Sequence, residues 1–434
     1  MKRLVFLAAC LFIFSHLFAQ PNNLEHVSLT VDEAVAMALE NNVTVQRGKI
    51  TLEAARRAKS HSWNSVSPTA NVSGGLNIPD GIGDSDSPSD YKVNVRGTLS
   101  LSFSPNLFTS IQMARFAYEQ GQMTYEQTCS TVELNVRKAF YGLLYEQENI
   151  TLQRRNLQTA KEQYEQNKAK YNQGRMSELD VLSAEVKYKG LQPTVESAYV
   201  TFLNDLETFM QLIGMEGRRF IDFVGSLDDV AVDEKISLDD ITLSSPKVAL
   251  LKKQMESADS ALLGVRFTAY APTIGLSWQH SLTSTPSKST KSNSGEISLS
   301  ATIPLDGILP WSTKADNIEK AKDTIADLKL QLADAEQSLR VNAESALRKI
   351  RQSQSSIKSK QANVELAQRT YDMTLQAYNR GTKDLLSLQN ASDSLLSAEV
   401  SLKNEQRSLI NAILELENTL GIPYGTLTAK KGTK

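Results

Sequence analysis

Two distant segments of the chain carry nearly the same residues. Residues 171–184 read YNQGRMSELDVLSA, and residues 378–391 read YNRGTKDLLSLQNA. Gly174 and Gly381 hold the same place in the two segments, 207 positions apart. This agreement predicts two copies of one structural unit, which restricts the chain to folds that are built by duplication.

The match extends into a heptad pattern. Five leucines of the second copy follow a strict seven-residue period: Leu388, Leu395, Leu402, Leu409 and Leu416. The positions 207 residues earlier are all apolar or aromatic: Val181, Tyr188, Val195, Phe202 and Phe209. Stripes of this period are typical of long helices that pack side by side as coiled coils.

Two segments predict unusually long helices. Residues 312–379 contain neither glycine nor proline, and residues 109–172 contain no proline. At ~1.5 Å per residue, each helix would be roughly 90–100 Å long. Further helices are predicted over residues 177–213, 383–420, 31–66 and 245–270.

Two other stretches change to a two-residue period. Apolar and polar residues alternate on both sides of a polar loop in residues 69–103 and again in residues 273–304, and Pro68 and Pro272 precede them. Each strand has about the nine to eleven residues that cross a bilayer at a tilt. Local sequence alone favours a soluble hairpin on a core, but no other strand-rich region is available to pack against it. We therefore predict membrane hairpins.

These patterns divide the chain into five parts. They are a signal peptide (1–19), a first repeat (20–213), a connector (214–244), a second repeat (245–420) and a mobile C-terminal tail (421–434). Lys2 and Arg3 followed by an apolar run are typical of an export signal. The segment Leu7-Ala8-Ala9-Cys10 resembles a lipoprotein cleavage box, although the apolar run continues beyond the cysteine, which favours an ordinary signal.

Catalytic and metal-binding patterns are missing from the sequence. None of the four histidines has metal-ligand spacing, and neither a nucleophile elbow nor a phosphate-binding loop is present. After cleavage Cys129 would be the sole thiol, which excludes a disulfide and a thiolate metal cluster. The net charge of −2 gives no indication of nucleic-acid binding. We expect no enzyme activity, no cofactor and no metal.

Four strands from one chain cannot close a barrel. An open sheet edge in lipid would leave backbone N–H and C=O groups unpaired, at a cost of several kcal/mol each. Three copies would supply twelve strands, an even number that is wide enough for a water-filled lumen. The sequence therefore predicts a homotrimer in contact with outer-membrane lipid, with the long helices packed around the same axis.

Taken together, these features resemble the TolC-type outer-membrane efflux channels, or outer membrane factors, over essentially the whole mature chain. The matching features are the opening Leu29-Thr30-Val31-Asp32-Glu33-Ala34, the prolines Pro68, Pro105, Pro272 and Pro304, and the duplicated Tyr-Asn-x-Gly turn. The resemblance implies a mainly α fold with a trimeric twelve-stranded membrane β-barrel and a periplasmic α-barrel. It also implies a passive exit duct in the bacterial outer membrane. A periplasmic adaptor and an inner-membrane pump of the RND or ABC type would be its partners.

The resemblance also assigns residues near the helical tips. Tyr378 matches a gate tyrosine, Lys383 stands where an arginine would be, and Asp180 matches a gate aspartate. The tip turns and adaptor contacts would be Gly174, Arg175, Met176, Gly381, Thr382 and Leu385. Ser387 and Asn390 replace the acidic residues that form selectivity rings in some members.

Plainer interpretations of two gate residues stay open. Asp180 follows Ser177 in a Ser-x-x-Asp pattern, which is typical of a helix N-terminus. For Lys383 the plainer interpretation, a solvated surface charge, is the favoured one. For the whole chain, the alternative function is a periplasmic coiled-coil adaptor or scaffold, although adaptors carry one helical hairpin rather than two.

Overall fold

The structure is a computed structural model that describes residues 26–78, 91–215, 220–228, 230–232, 245–286 and 289–430. The predicted signal peptide, including Cys10, lies outside the described residues. None of the described helices is both long and apolar enough to cross a membrane.

Helices account for most of the described chain. They are α1 (Val31–Asn41), α2 (Val43–Ser60), α3 (Asn106–Asn172), α4 (Glu178–Leu212), α5 (Pro246–Tyr270), α6 (Thr313–Asn379) and α7 (Leu385–Leu420). The two predicted rods are present as α3 and α6, which have 67 residues each and therefore extend roughly 100 Å. The return helices α4 and α7 run back along them.

The predicted single helix over residues 31–66 is wrong, because Asn42 interrupts it. Asn42 has an extended ψ of 127°, and its side-chain oxygen accepts hydrogen bonds from the backbone N–H groups of Thr44 and Val45 at 2.8 and 3.4 Å. It thereby ends α1 and caps α2. A 3-10 turn at Ser62–Val66 follows α2. The start of α1 is as predicted, with Thr30 and Glu33 forming a capping box.

Eight strands form three sheets in the described residues. They are β1 (His26–Leu29), β2 (Thr69–Asn77), β3 (Lys92–Phe103), β4 (Phe220–Phe223), β5 (Val230–Val232), β6 (Thr273–Thr285), β7 (Thr290–Thr302) and β8 (Thr428–Lys430). The two predicted hairpins are β2–β3 and β6–β7, and β3 pairs with β6. All pairings in this four-stranded sheet are antiparallel. The two copies thus contribute to one continuous sheet.

Four of the five leucines in the heptad stripe of the second copy are buried, and Leu402 is half-buried. Leu388, Leu409 and Leu416 are almost inaccessible to solvent, and α7 packs along α6 through them. Midway along α3 and near the end of α4, Phe140 contacts Phe209 and Phe223 with ring centroids 6.4 and 5.3 Å apart. That cluster joins α3, α4 and β4 into the main apolar core.

Short strands connect the middle of the chain to its two ends. β4 pairs in parallel with β1, and β5 pairs antiparallel with β8. The interpretation of residues 421–434 as a mobile tail is therefore wrong for residues 421–430. Gly421 ends α7 with φ 65°, and the chain then returns to the helices rather than leaving them.

Candidate functional site

The α3–α4 reversal is a tight turn that requires glycine. Gly174 has φ +69°, and an added Cβ there would meet open space, so backbone conformation rather than crowding selects glycine. The N–H of Arg175 donates to the carbonyl of Lys170 at 2.9 Å, and the N–H of Gly174 donates to that of Tyr171 at 2.8 Å. These two bonds define a Schellman motif.

The α6–α7 reversal repeats this geometry. Gly381 has φ +75°. The N–H of Thr382 donates to the carbonyl of Ala377 at 2.9 Å, and the N–H of Gly381 donates to that of Tyr378 at 2.9 Å. The duplicated Tyr-Asn-x-Gly pattern is thus the sequence of a helix stop, used twice at the same end of the bundle.

The tip residues differ in what they present to solvent. Arg175 and Thr382 are exposed, and Met176 is half-buried. Leu385 is 5% exposed and packs with Leu388 in the apolar cluster beneath the turns. The predicted adaptor-facing role of Leu385 does not fit this burial, because Leu385 lies three residues before Leu388, in the register of the helix seam.

Leu386 is the exposed leucine of this turn, and the sequence prediction missed it. Its side chain is 62% exposed. The heptad register distinguishes the two neighbours, because it assigns Leu385 to the seam and Leu386 to the surface. This signal was available in the sequence.

The three predicted gate residues have different surroundings within the protomer. The Asp180 carboxylate accepts a hydrogen bond from the Ser177 hydroxyl at 2.6 Å, and the Asp180 N–H donates to that hydroxyl at 3.2 Å. Tyr378 is buried, and its hydroxyl donates to the Asn167 side-chain oxygen at 2.8 Å. Lys383 is exposed at the second turn. Within the protomer, Asp180 therefore lies in the first turn of α4 and bonds to its cap residue Ser177, and Tyr378 forms a hydrogen bond between helices.

Asn167 belongs to a polar seam between the two helical hairpins that sequence reasoning missed. Ser392 donates to the side-chain oxygen of Asn156 at 3.0 Å, and Lys187 pairs with Asp393 at 2.6 Å. Asn167 is fully buried. Positions 143, 150, 157, 164 and 171 form a series with a seven-residue period, and Asn167 lies three residues after Tyr164. Asn167 is therefore a polar residue at a core position of the heptad, and this pattern could have indicated the polar seam from the sequence.

A half-buried acidic residue lies on α3, farther from the tip turns than Asn156 and Asn167. Glu146 on α3 lies beside Asp205 on α4, and Arg407 of α7 is close enough to interact with it. Burial is the main cause that raises the pKa of Glu146 from 4.5 to about 7; hydrogen bonding with Asp205 and repulsion from its charge add to the rise, and Arg407 opposes it. The carboxyl therefore changes its charge near neutral pH.

This titration predicts a stability that falls with rising pH. Between these pH values the folded protein keeps a proton on Glu146 that the unfolded chain has released. The contribution of this proton to the free energy of unfolding is complete below about pH 4.5 and is lost as the pH rises to about 7. Glu146→Gln keeps a hydrogen-bond donor facing Asp205 at every pH. We expect it to raise the melting temperature at pH 8 but not at pH 4.5. Glu126→Gln, at an exposed position on α3, is the control, and equal melting shifts in both variants would contradict the assignment.

The four-stranded sheet has two chemically distinct faces. In the register of the sheet, Leu101, Leu276 and Leu299 are direct neighbours on one face. On the opposite face, Ser277 and Ser298 are paired, with 2.7 Å between their hydroxyl oxygens. Leu276 and Leu299 are 46% and 75% exposed in the protomer, and Leu101 is half-buried. Such a face needs an apolar environment outside the chain.

The polar face is rich in hydroxyl and amide groups. Arg96 stands there opposite Ser73 and Ser281, and Gln279 donates to Glu296 at 3.2 Å. Hydrated side chains of this kind are suited to lining an aqueous passage. Pro68 and Pro272 lie directly before β2 and β6. They stand at the two junctions where the chain passes from helix to sheet.

A family model described as Outer membrane efflux protein matches residues 34–214 and 239–422. The chain belongs to this family. It is an outer-membrane channel protein rather than an enzyme. The alternative of an adaptor or scaffold is not favoured, because the family match extends over both repeats.

Individual relatives agree with this membership. Outer membrane protein TolC of Vibrio cholerae is 21% identical over 411 residues, which cover 90% of each chain. The Campylobacter jejuni CmeC outer membrane channel has a TM-score of 0.73 at 18% identity, with 90% of this chain and 85% of that chain covered. The open state of the Neisseria gonorrhoeae MtrE outer membrane channel has a TM-score of 0.72 at 18% identity, with 93% and 94% covered. The two structures share the fold.

Proposed function

We propose that this outer membrane efflux protein is the passive exit duct of a tripartite efflux or secretion system. The observation that carries the proposal is the sheet, which has one apolar face, one polar face and two edge strands, β2 and β7, that pair on one side only in the described residues. A bilayer suits the apolar face and water suits the polar face. The helices below it would form the periplasmic part of the duct.

The two edge strands support a homotrimer. Edge N–H and C=O groups cost several kcal/mol each in hydrocarbon unless they are paired. Pairing β7 of one copy with β2 of the next would satisfy both edges, and three copies would close a twelve-stranded barrel. The exposed apolar residues of the long helices, such as Leu330 on α6 and Val200 on α4, would then pack between protomers in the α-barrel.

The remaining partners are a periplasmic adaptor and an inner-membrane pump of the RND or ABC type. The tip turns support an adaptor contact, since Arg175 and Thr382 are exposed at the end farthest from the sheet. Leu386 adds an exposed apolar contact beside them. Duct closure at this end remains a proposal for Asp180, Tyr378 and Lys383.

Purification in detergent tests the proposed assembly. We expect the mature protein to have the mass of three chains by native mass spectrometry and to form conducting channels in planar bilayers. A stable monomer that forms no channel would contradict the proposal. If the trimer conducts but no adaptor protein co-purifies with it, only the partner assignment is contradicted.

The gate prediction concerns Asp180 and Lys383. If these side chains hold the tips closed across the trimer, the double variant Asp180→Ala, Lys383→Ala should raise single-channel conductance and sensitivity to bulky antibiotics. Ser177→Ala is the matched control, because it removes the hydroxyl that caps α4 and leaves both charges in place. An equal rise in the control would assign the effect to fraying of the helix, and no rise in the double variant would exclude both residues from the gate.

A further inference from the structure

The return helix α4 of the first copy has a proline in its interior. Pro193 lies within the 35-residue helix, and Gly190 precedes it by one turn. Because proline has no N–H, α4 lacks the hydrogen bond that position 193 would donate to the carbonyl of Lys189. An added Cβ at Gly190 would meet nothing within 4 Å in the described residues, so packing does not select glycine there. We name residues 190–193 the α4 joint, and both of these residue types lower the stability of a helix interior.

The middle of α4 also has little packing within the protomer. The structure describes α4 in full, and none of its residues from 185 to 205 is buried. The equivalent stretch of α7, residues 392–412, contains neither glycine nor proline. Its buried residues are Leu395, Ala398, Gln406, Leu409, Ile410 and Ala412. The two return helices therefore differ in local stability, although they hold equivalent places in the duplicated unit.

Aromatic contacts attach α4 to α3 on both sides of the α4 joint. Toward the tip turns, the ring of Tyr188 stacks on that of Tyr164, with centroids 6.1 Å apart. Toward the main apolar core, the guanidinium carbon of Arg154 lies 5.7 Å from the centre of the Tyr199 ring. The α4 joint therefore lies opposite the part of α3 between Arg154 and Tyr164.

A cavity separates the two helical hairpins at this same level. Its volume is about 230 Å³, and its lining includes Asn156 and Thr159 of α3, Tyr371 of α6 and Ser392 of α7. Asn156 is 8% exposed, and its side-chain nitrogen has no hydrogen-bond partner among the described residues. Packing between the hairpins is thus incomplete beside the α4 joint. This leaves room for α3, which is continuous there, to bend smoothly as long helices do.

We propose that the α4 joint is a hinge, about which the tip of the first hairpin (α3 and α4) moves relative to the second hairpin (α6 and α7) when the duct opens. A bend at the joint disturbs no buried side chain of residues 185–205, whereas an equal bend in α7 would disrupt its buried leucines. Between the joint and the tip turns the hairpins meet at the polar seam, whose hydrogen bonds can be exchanged for bonds to water. This inference rests on the proposed function, in which the chain forms a duct.

Hydrogen exchange of the purified protein in detergent tests the hinge, with the second copy as an internal reference. Relative to their intrinsic rates, we expect the amides of residues 185–205 to exchange about tenfold faster, or more, than those of residues 392–412. The double variant Gly190→Ala, Pro193→Ala should slow the exchange of residues 185–205 about tenfold or more, because it restores the missing hydrogen bond. Ser397→Ala, at the position equivalent to Gly190, is the matched control and should change the exchange of α7 much less. Equal exchange in the two stretches of the unaltered protein would overturn the hinge.

Single-channel recordings in planar bilayers test whether opening uses the hinge. The stiffened double variant should lose most of its transitions to the fully open conductance, while Ser397→Ala should open as often as the unaltered protein. If exchange in α4 slows but the openings are unchanged, the hinge takes no part in opening and the proposal is wrong. If the unaltered protein forms no channel at all, the proposed duct is contradicted, and the exchange rates still decide whether α4 contains a hinge.

Discussion

Arginine at both Leu276 and Leu299 should abolish assembly in the outer membrane. These leucines are cross-strand neighbours on the apolar face of β6 and β7, and both are exposed in the protomer. An arginine that faces lipid near the bilayer centre costs about 2–4 kcal/mol, so six of them in a trimer would cost about 12–24 kcal/mol. We expect the heat-modifiable oligomer to disappear from outer-membrane fractions on gels, together with efflux activity.

The matched control changes the adjacent positions on the opposite face. Ser277 and Ser298 are also cross-strand neighbours on β6 and β7, but they point away from Leu276 and Leu299. Arginine at both serines should leave the oligomer in the membrane and alter the ion selectivity of the channel. If both double variants assemble, or if the serine variant fails while the leucine variant assembles, the assignment of the two faces is wrong.

The sequence predicts the long helices and the hairpins well because their signals are periodic. The heptads around Leu388 and the alternation in residues 273–304 repeat over many residues, so no single position decides them. The break at Asn42 depends on one side chain that caps α2 and donates to the Leu212 carbonyl at 2.8 Å. The periodicity of a helix does not predict a contact between Asn42 and a residue as distant in the sequence as Leu212.

The same contrast applies to the tips. The turns at Gly174 and Gly381 are predictable because a left-handed residue after a helix is a local requirement. Tyr378 is different, since its partner Asn167 lies on another helix and has no counterpart in the second repeat, where position 374 is Thr374. The duplication therefore identifies the turns but not the polar seam that joins the two hairpins.

The pairing of β5 with β8 is not predicted by any sequence pattern as strong as the heptads or the strand alternation. β5 and β8 have three residues each, which is too short for a two-residue period to stand out. They meet because residues 421–430 return to the helices after α7. We call residues 421–430 the C-terminal strap, and its attachment to α7 leads to the second large effect.

Glu417→Ala should release the C-terminal strap. The Glu417 side chain is fully buried, and its Oε1 atom accepts hydrogen bonds from the N–H groups of Gly425 and Leu427, each at 2.9 Å. Alanine would leave both donors without this partner, at about 1–3 kcal/mol each, or about 2–6 kcal/mol together. Loss of the strap would also free β5, which pairs with β8 inside it.

Hydrogen exchange of the strap amides measures this release directly. We expect fast exchange over residues 421–430 in Glu417→Ala and near-normal protection in Glu417→Gln, because the amide oxygen can accept the same two bonds. Burial raises the pKa of Glu417, so the carboxylate is costly to keep charged there, and Glu417→Gln removes that cost. Tyr424→Phe is a further control, since it removes the hydroxyl that donates to the Ser130 carbonyl at 2.9 Å and leaves the carboxylate in place. Unchanged exchange in Glu417→Ala would show that the strap is held by its apolar contacts, with Leu427 buried against the helices, and not by the carboxylate.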